Sequence, residues 1–220
     1  KKSAFADCTD FGMVVYAKKS ELESIGKNAF SNTLIEEMDL PSNLKEFSGN
    51  CFTNVPLNII RISKQNKYLS KLHDNVILKK SEQSISRADT VLLGYNQIEE
   101  MKVPSNIKHI APYAFYMCYD FSSISFAKNS ELLSIGKNAF VSTSLKAIVI
   151  PKQVRKIEKK TFLDCSHLER VEFVKDSELQ LIEKEAFCNS NISYLSIPDQ
   201  VKVLDYCWCS NTAHLIHIDL

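Results

Sequence analysis

Near its carboxyl end the chain reads Cys207-Trp208-Cys209, followed by His214 and His217. Two thiols and two imidazoles make a ligand set for tetrahedral zinc. Cys165 with nearby His167 has the residue types of a nucleophile and its base. Neither pattern decides anything until the elements that carry it are known. The rest of the inventory is sparse. Five glycines in 220 residues leave no Gly-rich phosphate loop. With 27 basic and 26 acidic residues there is no basic stripe for nucleic acid. No run approaches the ~18 apolar residues of a membrane-spanning helix. The chain opens on Lys1-Lys2-Ser3-Ala4-Phe5, with no initiator Met and no signal-peptide pattern, which leads us to expect a piece of a longer protein.

Repetition positions these residues. Ser-Glu-Leu-Glu-Ser-Ile-Gly-Lys-Asn-Ala-Phe at 20–30 returns at 130–140 with one change. Aligned on the aromatic of the Ala-Phe element, the markers are Phe5, Phe30, Phe52, Phe115, Phe140, Phe162, Phe187 and Trp208, at steps of 25, 22, 63, 25, 22, 25 and 21. An apolar triad, Φ-x-x-Φ-x-Φ, follows each unit. Nine occur, from Phe11/Val14/Tyr16 through Leu145/Ile148/Ile150 to Leu215/Ile218/Leu220. The last two members of each alternate in and out, the period of a short strand with one buried face. Pro41, Pro104, Pro151 and Pro198 end strands just after a triad.

One unit cannot bury a core, but stacked units can. The expected architecture is a right-handed solenoid, mostly β, of about nine coils over residues 1–220. It has a concave parallel sheet and a short helical turn at each Ala-Phe. The excess length lies in 64–97, where Val76-Ile77-Leu78, Ile85 and Val91-Leu92-Leu93 predict a hairpin or meander projecting from one coil.

In this register Cys207 takes the core slot of Ala29, Ala114, Ala139 and Ala186, whereas His217 faces outward. Opposite faces of a sheet cannot share one small ion, so no metal site is expected. Cys8, Cys118 and Cys165 each stand three residues after the aromatic, a buried turn position. Equivalent cysteines lie two or more coils apart, beyond the ~7 Å reach of a disulfide. We expect mostly reduced, buried thiols, no cofactor and no catalytic residue. The sequon Asn191-Ile192-Ser193 sits at the start of a strand.

The Leu-x-x-Ile-Gly-x-x-Ala-Phe unit, the triad and the following Ile-Pro resemble the BspA-type leucine-rich repeat family over essentially all 220 residues, the inserted segment included. The resemblance implies a leucine-rich-repeat solenoid in a cell-surface or secreted protein of a trichomonad-like protist or a bacterium. It implies a surface antigen or adhesin that binds a host, matrix or cell-surface protein. The alternative is a cytoplasmic scaffold that docks a signalling partner such as a phosphatase.

The binding residues must then be those that differ between coils. Outward residues form two columns, Val15, Asp39, Arg61, Lys102, Ser125, Val149, Glu172, Ser196, Asp219 and Met13, Glu37, Ile59, Glu100, Ser123, Ala147, Arg170, Tyr194, His217. Three of these are basic and five acidic, so the face favours no polyanion. The candidate protein-binding residues are Arg61, Lys102, Arg170, Glu172, Tyr194 and His217, since Arg and Tyr are over-represented at interface hot spots. Apolar end coils predict end-to-end self-association.

Overall fold

The structure, a computed structural model, describes residues 1–17, 19–80, 87–95, 97–212 and 214–219. Ile85 and Leu220 therefore lie outside the described residues. Two compact units, Lys1–Asn96 and Gln97–Leu220, divide the chain.

The first unit contains β1 (Ser24–Ile25), β2 (Glu37–Leu40), β3 (Glu46–Phe47), β4 (Ile59–Ile62), β5 (Leu69–Leu72), β6 (Val76–Lys79) and β7 (Thr90–Gly94). The second contains β8 (Glu100–Val103), β9 (His109–Ile110), β10 (Ser123–Phe126), β11 (Ser134–Ile135), β12 (Ala147–Ile150) and β13 (Lys156–Ile157). It continues with β14 (Arg170–Phe173), β15 (Leu181–Ile182), β16 (Tyr194–Ser196), β17 (Val203–Leu204) and β18 (His217–Asp219). From Ser24 onward the regular coils are β-solenoid turns with two strands each. The triads form the longer ribbon, where β8 pairs β10 and β12, β14, β16 and β18 pair in order, all parallel. An apolar pair spaced three apart precedes the aromatic (Ile107/Ile110, Leu132/Ile135, Val154/Ile157, Leu179/Ile182); these pairs form a second ribbon of two-residue strands, whose inner column Ile110, Ile135, Ile157 and Ile182 is buried and in register.

Triad strands begin and end where the apolar spacing places them, and Met38 and Leu40 on β2 are buried between exposed neighbours. The first triad differs, because Phe11, Val14 and Tyr16 form no strand. Leu34 N–H donates to Phe11 O at 3.0 Å, but no ladder follows. Gly12 weakens this segment.

The Ala-Phe element is a turn, not the helical turn its apolar spacing suggests. Among the described residues the one helical element is a 3-10 turn at Gly49–Phe52. Left-handed residues two before and two after the aromatic prevent helix growth. Asn28 and Asn32 flank Phe30 with φ of 55° and 59°, Asn138 and Ser142 flank Phe140, and Lys160 and Asp164 flank Phe162. Asn and Asp enter this region more readily than other non-glycine residues. They also bond between coils: Asn54 Nδ2 donates to Asn32 Oδ1 at 2.9 Å and Asn32 Nδ2 to Asp7 Oδ1 at 2.6 Å.

These turns hold a phenylalanine stack within each unit. Phe115, Phe140, Phe162 and Phe187 stack at centroid spacings of 5.3, 5.4 and 5.3 Å with planes within 5°. In the first unit Phe30 stacks on Phe5 at 5.6 Å and on Phe52 at 5.9 Å. The residue four before each aromatic touches the preceding turn, and two solutions recur there. Glu158 and Glu183 accept from the backbone N–H of Lys137 and Lys159 at 2.9 and 2.8 Å. Gly136 instead lies against Pro112, which has no N–H to offer. A Cβ on Gly136 would come within 2.5 Å of the Pro112 nitrogen.

This grid corrects the last coil by one residue. Phe162 N–H donates to Ala186 O, the residue before Phe187, and Phe187 N–H donates to Trp208 O, the residue before Cys209. The left-handed flanks here are Cys207 and Asn211. Thr212 Oγ1 donates to Cys209 O as Thr143 Oγ1 donates to Phe140 O, and Asp205 accepts from Lys184 N–H as Glu183 does from Lys159. Cys209 therefore occupies the aromatic slot and Trp208 the alanine slot. Trp208 meets Phe187 edge-on, at 84°, instead of extending the stack.

The segment that interrupts the spacing forms an antiparallel meander, β5 to β6 to β7, with an irregularity at Ile77/Leu78. Val76, Ile77 and Leu78 are buried in succession, as are Val91, Leu92 and Leu93. Successive strand residues face opposite sides, so both faces of the meander are covered.

Candidate functional site

The residues with the types used in catalysis differ widely in burial and partners. Cys165 is fully buried and its thiol donates to Phe140 O at 3.0 Å, toward the core. Burial pushes that thiol up to about 11, away from the thiolate a nucleophile needs. His167 is exposed and approaches Ser166 Oγ at 3.4 Å. Cys188 donates to Cys207 O at 2.8 Å, and burial pushes Cys209 up to about 11. His217 is engaged on the outer face by Asp219 and Tyr194.

All seven cysteines are reduced thiols, but only Cys51, Cys165 and Cys188 are buried. Cys8 is exposed, against the expectation for its turn position.

The outward residues of the triad ribbon stand where their alternation places them. Arg170 on β14 lies beside Tyr194 on β16, which lies beside His217 on β18. Parallel in-register pairing produces this adjacency. The Tyr194 and His217 rings stack at 5.6 Å, 3° from parallel. Tyr194 OH donates to Asp219 Oδ2, and His217 Nε2 lies 2.7 Å from Asp219 Oδ1. Those two bonds, Tyr194 first, hold the Asp219 carboxyl below its ordinary range. Arg170 Nε meets Glu172 Oε1 at 3.2 Å. Arg170, Glu172, Tyr194 and His217 thus form one exposed patch. Asp219 belongs to it as the shared acceptor, and its place in the outward column is the signal that could have found it.

Lys102 stands on β8, beside Ser125 of β10, three strands from Arg170. Arg61 lies in the first unit, where Nη2 meets Glu37 Oε2 at 2.6 Å and Nη1 meets Asp39 Oδ1 at 3.5 Å. These exposed pairs contribute little to stability, so their side chains are available to a partner.

The repeat grid has its counterpart in known sequences. A family model described as a BspA type leucine rich repeat region of 6 copies matches residues 1–84 and 89–215. The chain belongs to the BspA-type leucine-rich repeat family. Solved structures share the fold of this BspA-type chain. A leucine-rich cell surface protein of Faecalibacterium prausnitzii gives a TM-score of 0.81 at 20% identity, over 99% of this chain and 56% of that one. Pneumococcal vaccine antigen PcpA gives 0.65 at 22%, over 99% and 47%. A leucine-rich repeat protein of Eubacterium ventriosum gives 0.64 at 16%, over 96% and 54%. The BspA-type chain spans about half the length of each. No curated protein matches it by sequence. No helix among the described residues is long and apolar enough to cross a membrane.

Proposed function

We propose that this chain is a non-catalytic, protein-binding repeat domain of a cell-surface or secreted protein. It acts as an adhesin or antigen that binds a host or matrix protein. The observation that carries this reading is the exposed patch of Arg170, Glu172, Tyr194 and His217. Its residues differ from coil to coil, while the columns beneath them repeat. Lys102 and Arg61 extend the binding residues to other coils. The surface placement draws support from two proteins of like fold, one a cell surface protein and one a vaccine antigen. Binding of the chain to immobilised matrix and host-surface proteins, repeated with Arg170→Ala and Tyr194→Ala, tests the face. Undiminished binding by both variants refutes it. Antibody labelling of intact cells tests the location, and labelling that needs permeabilised cells refutes it.

Seven reduced thiols favour a second reading, since disulfides accumulate in oxidising compartments. In it the chain is an intracellular scaffold that docks a signalling partner such as a phosphatase. Labelling confined to permeabilised cells is the result this reading requires.

A further inference from the structure

The proposed binding face has an internal symmetry. In Gln97–Leu220 six strands run in the order β8, β10, β12, β14, β16, β18, with Lys146 N–H donating to Ser122 O at 3.2 Å where β12 follows β10. Each strand presents a row of two outward residues. Three rows oppose an acid and a base: Glu100 with Lys102, Arg170 with Glu172, and His217 with Asp219. Between the first two lies an apolar row, Ala147 with Val149. The remaining rows carry hydroxyls, Ser123 with Ser125 and Tyr194 with Ser196. Every row is its own complement. Turned end for end, it sets acid against base, methyl against methyl and hydroxyl against hydroxyl.

A two-fold axis between two copies, lying along the stacking direction, makes that reversal. The geometry points to a second copy of this chain as the partner of this face, the two meeting row on row in an isologous contact. The inference rests on the reading of this face as a binding surface. Val149 and Tyr194 are 44% and 50% exposed, so apolar area is available to cover. Arg170 and Glu172 keep 70% and 49% of their side chains in solvent, so they can turn to a facing copy without breaking a buried pair. The first unit lacks this property, because its β2 row sets Glu37 beside Asp39, acid with acid. At ~4.8 Å per strand the six rows run roughly 24 Å. Two residues of width keep the footprint below the ~800 Å² per partner of a standard interface. The contact is therefore weak between single molecules and gains strength between surfaces that carry many copies.

Sedimentation velocity of the 220-residue chain from micromolar to millimolar concentration tests this. The expected result is a reversible dimer that Arg170→Glu or Glu172→Arg alone weakens about tenfold or more, because like charges then face each other twice across the axis. The double variant R170E/E172R regains the self-association of wild type but does not mix with it, since wild-type Arg170 would face the arginine introduced at position 172. Far-UV circular dichroism and melting confirm that each variant is folded. A monomer at every concentration overturns the inference. So does a double variant that mixes with wild type as readily as with itself. If the chain is monomeric while Arg170→Ala and Tyr194→Ala lose a different protein ligand, only the partner assigned here is wrong. If those alanine variants bind every ligand unchanged, the face itself is wrong.

Discussion

Replacing Gly136 by Ala adds one methyl group at a place where the backbone of two coils meets. An ideal Cβ there lies 2.5 Å from Pro112 N, 2.8 Å from Pro112 Cδ and 2.9 Å from Ala111 C. Neither side gives way easily, because proline fixes its own φ and Gly136 N–H is tied to Ile110 O at 2.9 Å. Overpacking of this kind costs about 1–3 kcal/mol, and loosening the tied hydrogen bond adds about 1 kcal/mol. Against this, alanine restricts the unfolded chain by about 0.4–1 kcal/mol. The net loss is about 1–3 kcal/mol. In a domain of this size it lowers Tm by about 2–4 °C per kcal/mol, hence by about 2–12 °C. Gly12→Ala is the control, since its Cβ would meet only Leu34 O at 3.7 Å. Thermal melting by circular dichroism compares the two, and hydrogen exchange should place the loosening at the amides of Tyr113, Phe115 and Gly136. A Gly136→Ala melt equal to or above that of Gly12→Ala would refute the close-approach reading.

Phe140→Ala removes an inner ring of the stack and should cost about 3–5 kcal/mol, read as a lower denaturant midpoint; a loss under 1 kcal/mol would show that the stack is dispensable. Glu185 is held below its ordinary value, first by its bond to Lys160. Its stabilisation is present above pH 4.5 and is lost as pH falls through the lower folded value, so Lys160→Gln should shrink the difference in Tm between neutral and acidic solution. An unchanged difference counts against that pair. Among the thiols, exposed Cys8 should be alkylated first and Cys165, pushed up to about 11 within the core, last. Mass spectrometry of native protein treated with iodoacetamide gives the order, and early labelling of Cys165 would contradict its placement.

The triad strands were legible because strict alternation with one buried face leaves little choice of register. The second ribbon was harder to read, since Ser24–Ile25 and its equivalents are two residues long and show no period. The Ala-Phe spacing suggests helical turns because it reports burial, not φ. The asparagines around Phe30 and Phe140 held that information. The last coil reads one residue out of register in the sequence because Trp208 offers an aromatic where the chain uses Cys209. The step of 21 residues was the visible warning, and Asp205 and Thr212 stand at the spacing of Glu183 and Thr143. For the proposed binding face, the rows are legible in the sequence. The joint hold of Tyr194 and His217 on Asp219 is not, because it depends on side-chain rotamers across a strand pair.

The two parallel ribbons also determine how a coil of the second unit responds to tension. Their hydrogen bonds run from coil to coil, along the stacking direction, so a pull along that direction opens them a few at a time. Coils should then peel in sequence, each releasing 22–25 residues, or about 75–90 Å of extended chain. A tether built this way lengthens in steps under load and recovers one coil at a time when the load falls.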